Sequence, residues 1–588
     1  MYKADYQSPK QPVLAIFLLV TLMFAAPFLH VQYLHASHHW RFAPKGAYSE
    51  NGMVVSAHRL ASEVGRDVLR EGGNAFDAAV AVNFALAVVY QQAGNIGGGG
   101  FMVYRLTNGD VGTLDFRERA PFAASRDMYL DENGEVIKGL SLKGHLAVGV
   151  PGSVAGMATL HEKFGTKPWD ALIRPSVNLA QDGFILTKKA AREFNRFQKD
   201  FADQNRFTPP VLKASGKWRE GERIKFPALA STLQTIGAQG RAGFYEGRVA
   251  DALVDEMQSG GGLITHQDLA AYTPVWRAPV RFAYRGHEIV SMPPPSSGGV
   301  ALAQLLQGAE AYDVAALGHN SAAHIHLMTE LQRRAYADRA THLGDTDFVE
   351  VDIDTLTSRD YITARNADIS SNQKTPSEKV KPGYVAAMES AETTHFSIVD
   401  AAGNAVAITT TLNGMYGAKV VVKGAGFFLN NEMDDFAIKP GHANQFGLLG
   451  DSKNGIAPGK RMLSSMTPTI VTKDGKLKAV LGTPGGATII TSVFQVLSNI
   501  IDFDMSAAQA VHARKSHSQW QPDVVMLEKG AMSLGNMRGL SARGHRLYPY
   551  PHFKWQLGRV EAILVGEDGT LEGAADASRG SDDWASGL

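Results

Sequence analysis

An abrupt change of character at Thr393 constrains this chain more than any other stretch. Residues 363–392 are polar and irregular, carrying Lys374, Pro376, Glu378, Lys379, Lys381, Pro382, Glu389 and Glu392. Such a composition buries little apolar surface and reads as a mobile, exposed segment. Thr393-Thr-His-Phe-Ser-Ile-Val-Asp400 follows, with Thr394, Phe396 and Ile398 on one face at a strand-like period of two. Asp400-Ala-Ala-Gly403-Asn404 supplies a turn, and Ala405-Val-Ala-Ile-Thr-Thr-Thr411 reads as the returning strand, rich in β-branched residues. A threonine therefore stands where a floppy segment meets the first strand of a hairpin. That is the geometry for a chain cut immediately before Thr393.

A cut there gives Thr393 both a hydroxyl and a free α-amine. An α-amine has a pKa of roughly 8, so near neutral pH much of it acts as a base. It takes the proton from its own hydroxyl, directly or through a water, which makes an N-terminal threonine nucleophile. Taken alone, the Thr pair reads equally as ordinary strand filler. The residues downstream decide the matter. Thr411-Leu-Asn413, Asn430-Asn-Glu432-Met-Asp-Asp435-Phe, Ser464-Ser465-Met and Pro484-Gly485-Gly486 follow the Thr393 motif in one order.

In type, order and spacing these runs resemble the γ-glutamyltransferase (glutathione hydrolase) family of N-terminal nucleophile hydrolases, over roughly residues 47–580. Sequence pattern alone specifies only α/β or α+β; the resemblance implies an α+β, four-layer αββα sandwich. Strands around 393–413, 420–430, 467–483 and 560–572 are compatible with it. It further implies self-cleavage between Glu392 and Thr393. Residues 1–46 would be a leader, 47–392 the large subunit and 393–588 the small one, the two subunits forming a heterodimer. The implied activity moves the γ-glutamyl group of glutathione, or of a related γ-glutamyl amide, to water or to an amino acid or peptide. It passes through a γ-glutamyl ester on Thr393, with no metal or organic cofactor. Arg117, in Leu114-Asp-Phe-Arg117-Glu-Arg-Ala-Pro121, would hold the substrate α-carboxylate with Ser464 and Ser465. Asp435, helped by Asn413 and Glu432, would hold the ammonium. The Gly485 and Gly486 amides would stabilise the oxyanion, and Thr411 would hydrogen-bond the nucleophile.

The amino terminus carries an address. Lys3 and Lys10 precede an uncharged apolar run over residues 13–29, with Pro27 near its end. The run fits a signal peptide's apolar region or a short membrane anchor, so the protein is expected to be exported, periplasmic or membrane-tethered. His30, His35, His38 and His39 beyond it read as juxtamembrane surface. Lys+Arg and Asp+Glu balance at 58 each, so no global charge attracts nucleic acid. Cysteine is absent, which excludes disulfides, thiolate metal sites and a Cys nucleophile.

Other motifs carry less. Gly97–Gly100 lacks the Lys and Ser/Thr of a phosphate loop and reads as tight backbone packing beneath a site. Gly149-Val-Pro-Gly-Ser153 lacks the glycine two residues before Ser153 that a serine elbow needs. His324, His326 and Glu330 read as a surface or packed helix rather than a metal site. Pro293–Gly299 reads as a rigid, structural turn into a helix. Residues 439–450, long and Gly-punctuated, suit a lid over the pocket. Bacterial members of the resembled family often carry Tyr where Phe446 stands, and the missing hydroxyl bears on how the lid is latched. Two rival functions remain: a glutaryl or β-lactam acylase of the same superfamily, and a membrane-anchored binding protein without turnover.

Overall fold

Successive side chains of a strand point to opposite faces, and along Thr393–Asp400 the two faces meet different surroundings. The computed structural model describes residues 46–380, 393–548, 557–576 and 582–588. Phe396 and Ile398 pack into a helix-lined core together with Val406 and Ile408 of the returning strand. Val399, Ala405 and Ala407 face the other way, into a thinner apolar layer shared with Val290, Ile470, Val480 and Ile563. Those last four belong to a second sheet, so the thin layer is the seam between two stacked sheets.

The sheet that carries Thr393 has the strand order Trp584–Gly587, Gly52–Ser56, Thr393–Asp400, Ala405–Thr411, Gly99–Arg105, Val111–Phe116, Val275–Arg277. The second runs Ala47–Ser49, Leu571–Ala575, Glu561–Val565, Lys476–Gly482, Thr469–Lys473, His287–Ser291, Val280–Tyr284. Neighbours in both are antiparallel. Helices close each outer face. Ala75–Val89, buried along its whole length, packs on the first sheet with helices Arg59–Arg70, Ser153–Phe164 and Trp169–Asp182. Gly298–Ala309, Ala322–His342 and Thr488–Ile501 cover the second. The layers are therefore α, β, β, α, as the resemblance implies. With an apolar layer on one side and a sheet on the other, the central hairpin has no solvent face, and all eight residues of Thr393–Asp400 are buried.

Two expectations fail. Residues 420–430 form no strand: only Val421 and Phe428 pair. Gly424 and Gly426, at φ +79° and +81°, turn the chain back within a few residues, while Val420, Val421 and Val422 bury in the helix-side core. The β-branched run folds back on residues 427–429, Val422 N donating to the Phe427 carbonyl and Leu429 N to the Val420 carbonyl at 3.0 Å each, and joins neither sheet. Nor is the segment from 363 irregular throughout. Helix Arg359–Asn366 runs into it, and Ser377–Val380 forms a further turn of helix. Arg334 holds Asp368 at 2.6 Å, and Arg333 donates to the Thr375 carbonyl at 2.7 Å. Polar residues that looked solvated are partners of two buried arginines on Ala322–His342. Glu330 of that helix pairs with the same two arginines at 2.8 Å each, so the His324–Glu330 run is a packed helix. Residues 381–392, Glu392 included, and the apolar run 13–29 lie outside the described residues.

Candidate active site

Thr393 and Thr411 stand opposite each other in the hairpin register, and their hydroxyl oxygens are 3.4 Å apart. The Asn413 amide donates to Thr411 Oγ1 at 2.7 Å, and the same hydroxyl also hydrogen-bonds the Glu432 carboxyl. Asn413 takes φ +72° to bring its amide round, a conformation Asn tolerates better than most residues. The Gly97–Gly100 run lies directly beneath this pair. A Cβ on Gly98 would stand 2.0 Å from the Thr411 carbonyl oxygen, and Asn95 ties the two together by donating to that carbonyl and accepting from Gly98 N, each at 2.9 Å. The glycines are needed because backbone passes where side chains would be. His395, two residues after Thr393, faces the seam, where it meets Thr409 Oγ1 at 2.8 Å and Ser397 Oγ at 3.0 Å. Burial lowers its pKa to about 3, so it is neutral and structural.

A small, tight hollow opens beside Thr393. Its wall contains Thr411, Arg117, Asn413, Glu432, Asp435, Ser464, Ser465 and Gly486 as well as Thr393. Nine of the ten catalytic and substrate-binding candidates thus line one cavity; the tenth, Gly485, directly precedes Gly486 in the chain. Arg117 follows directly on strand Val111–Phe116, and its backbone is pinned by Asp115 Oδ1, which accepts from its N–H at 2.9 Å, and by the Tyr272 hydroxyl on its carbonyl at 2.8 Å. Its side chain, 1% exposed, lies 2.6 Å from Glu432 and 2.7 Å from Asp435. Asn444 donates to the other Asp435 oxygen at 2.8 Å.

The electrostatics are those of three carboxyls around one guanidinium, because Glu118 also lies 3.5 Å from Arg117. Burial raises Glu118 to about 7 and Glu432 well above the ordinary carboxyl range, against the opposing pull of Arg117. Burial works against the Arg117 charge too, but Glu432, Glu118 and Asp435 outweigh it and hold its pKa above the usual value. What such a site lacks is a second cation: an incoming ammonium would relieve the crowding of the carboxyls and free Arg117 to meet a substrate carboxylate.

Gly486, in the wall of the hollow, and Gly485 are the residues expected to stabilise an oxyanion. Gly485 and Gly486, at φ +141° and +53°, form the turn just before helix Thr488–Ile501. Neither amide has a hydrogen-bond partner among the described residues. Free N–H groups at the start of a fourteen-residue helix favour developing negative charge. Ser465 Oγ is buried and likewise without a hydrogen-bond partner among the described residues. Ser464 is held by the proline turn: its amide donates to the Pro295 carbonyl at 2.8 Å, and its carbonyl accepts from Ser297 Oγ at 2.7 Å. The expected structural role of that turn is to fix the double serine.

Two neighbours escaped the sequence reading. Glu118 has no motif of its own to mark it; it lies beyond the end of strand Val111–Phe116, where strand alternation no longer applies. Arg559 reaches the Thr393 carbonyl at 3.5 Å from a region with no motif to mark it.

A family model for gamma-glutamyltranspeptidase matches residues 61–585. This chain belongs to the gamma-glutamyltranspeptidase family. Members with similar sequences include the glutathione hydrolase proenzyme of Pseudomonas aeruginosa, 48% identical over 532 residues, covering 90% of this chain and 93% of that one. The glutathione hydrolase proenzyme of Escherichia coli is 44% identical over 545 residues, 92% of each chain. Among solved structures, a cephalosporin acylase from Bacillus halodurans superposes with a TM-score of 0.81 at 25% identity, covering 93% of this chain and 97% of that one. The acylase shares the layers of the gamma-glutamyltranspeptidase sandwich, so the side chains of the hollow, rather than the fold, must discriminate between the two chemistries.

Proposed function

We propose that this chain is a self-processing γ-glutamyltransferase and glutathione hydrolase. The observation that carries the reading is the hollow itself, where the Thr393 and Thr411 hydroxyls share a wall with Arg117, Asp435 and Glu432. A glutaryl acyl group has no amine for those carboxylates to hold, which favours γ-glutamyl donors over acylase substrates. A binding-only pocket has no need of paired hydroxyls or of free amides opposite them.

Cleavage of the Glu392–Thr393 bond releases the Thr393 amine. The amine takes the Oγ1 proton as Oγ1 attacks the γ-carbonyl carbon of the donor, and the carbonyl π electrons move to oxygen opposite the Gly485 and Gly486 amides. Collapse of this intermediate breaks the C–N bond, and the departing amine takes the proton from the Thr393 ammonium. Water or an acceptor amine then attacks the γ-glutamyl ester, gives its proton to the Thr393 amine and restores the hydroxyl. Each backbone donor to the oxyanion is typically worth about 3 kcal/mol of barrier. Arg117 with Ser464 and Ser465 holds the α-carboxylate; Asp435, Glu432 and Asn413 hold the ammonium. Residues 47–392 and 393–588 are the two subunits of the mature heterodimer, and the apolar run at 13–29 supports export to the periplasm or tethering to its membrane.

The test is release of glutamate from glutathione by purified wild type and by Thr393→Ala. Wild type is expected to hydrolyse glutathione, and Thr393→Ala to remain one inactive chain. Glutamate release by the variant at the wild-type rate would overturn the reading.

A further inference from the structure

The segment 439–450 covers the hollow: Phe446 and Leu448 form part of its wall, and Asn444 reaches Asp435. The Phe446 ring carries no polar atom, so whatever holds this segment down must act elsewhere. Asn444 on Asp435 and the Gln445 amide on Asp434 Oδ2 at 2.8 Å hold its pocket side; a further hold is on the backbone of 446 and 447. Gln519 Nε2 donates to the Phe446 carbonyl at 3.1 Å and to the Gly447 carbonyl at 2.8 Å. Gln519 is buried and has a fixed orientation, because its Oε1 lies 2.9 Å from His517 Nε2. The other His517 nitrogen, Nδ1, meets Thr491 Oγ1 at 2.8 Å. Burial lowers His517 to about 4, so the ring is neutral near pH 7. Neutral imidazole has one donor and one acceptor. The two carbonyls can only accept, so the Gln519 amide nitrogen faces them and its Oε1 accepts from His517 Nε2–H; Nδ1 is then the acceptor for the Thr491 hydroxyl, which also lies 3.1 Å from the Thr488 carbonyl. Thr491 lies in the helix that begins just after Gly486. One hydrogen-bonded chain therefore runs from the oxyanion helix through His517 and Gln519 to the cover of the acyl pocket.

We propose that Gln519 is a positioning residue that fastens the lid 439–450 over the γ-glutamyl pocket, with His517 setting the direction of its amide. The inference rests on the γ-glutamyl transfer reading above. Gln519 touches no reacting atom; its two bonds hold the backbone that carries Phe446 in place, one residue before Gly447 and two after Asn444. A lid fastened this way does not depend on a hydroxyl at position 446. Loss of the fastening exposes the donor site and frees Asn444 from Asp435, while Thr393, Thr411 and the Gly485–Gly486 turn keep their geometry. The effect falls on donor binding rather than on chemistry.

The test compares wild type, Gln519→Leu and Gln519→Met on a chromogenic γ-glutamyl anilide. Each is first checked for cleavage into two fragments and for thermal stability; Gln519→Met keeps the side chain's length without a donor, should Gln519→Leu not fold. Loss of two ordinary hydrogen bonds corresponds to a rise of about tenfold in donor KM with kcat within about threefold of wild type. Proteolysis within 439–450 is expected to speed up several-fold in both variants, and saturating glutamate to slow it. An unchanged KM with unchanged proteolysis would overturn the proposal, as would a fall in kcat at constant KM, which would mark Gln519 as a prop for the oxyanion helix only. No turnover by wild type would instead defeat the functional reading, whatever the lid does.

Discussion

Asp435→Asn removes one negative charge from the hollow with little change in size. The wild-type carboxylate lies 2.7 Å from a guanidinium that is 1% exposed, and is itself 10% exposed, so water does not replace it as a partner. Truncating one member of a buried, hydrogen-bonded charge pair costs about 2–5 kcal/mol. At about 1.4 kcal/mol per tenfold, that is a loss of roughly 30- to 5,000-fold. Glu432, 2.6 Å from the same guanidinium, remains to face the ammonium and pulls the expectation to about 10²–10³-fold in kcat/KM for a γ-glutamyl anilide. A glutaryl anilide has the same chain without the amine, and its turnover by the variant should change by no more than about fivefold, since it never used the lost charge. The assay is the ratio of the two kcat/KM values in wild type and variant. Equal losses on both substrates would show that Asp435 only supports the fold of the pocket. No loss on either would remove it from the site.

Thr411→Val keeps the shape of the strand but leaves the Asn413 amide without its acceptor and Thr393 without its partner; kcat should fall by about 10–100-fold, the cost of one unsatisfied buried group, with KM nearly constant in steady-state assays. Gly98→Ala forces a methyl group to within 2.0 Å of the Thr411 carbonyl oxygen; overpacking of this kind costs about 1–3 kcal/mol, read as a fall in Tm and slower cleavage into subunits on gels. Glu118→Gln tests the charge state of the hollow. Burial raises the Glu118 pKa from 4.5 to about 7 in the folded protein, so between those values the folded form binds more protons than the unfolded one, and stability falls as pH rises through the window. The variant lacks this slope: its Tm relative to wild type should climb from pH 4.5 to 7 and then level, and a pH-independent difference would refute the assignment.

The sequence and the folded chain agree most closely where function restricts chemistry. Thr393, Arg117, Asp435 and the double serine are far apart in sequence, yet their types and order carried them to one cavity, because a nucleophile, a zwitterion clamp and an oxyanion site admit few alternatives. Hairpin periodicity was legible for a similar reason: Phe396 and Ile398 had to share a face. The failures lie where tertiary partners decide. Val420–Val422 have strand propensity, but no sheet edge is offered to them. Asp368 and Thr375 look solvated until Arg333 and Arg334 are placed beside them. Glu118 and Gln519 belong to the site through contacts between segments, 118 with 99 and 519 with 446, that no local pattern encodes.

The central claim is that Thr393 becomes an amino-terminal nucleophile, and the intact mass of the purified wild-type protein, with amino-terminal sequencing of its fragments, tests it most directly. The account predicts two fragments, the smaller beginning Thr-Thr-His-Phe. A single uncut chain, or a small fragment that begins at any other residue, would contradict it.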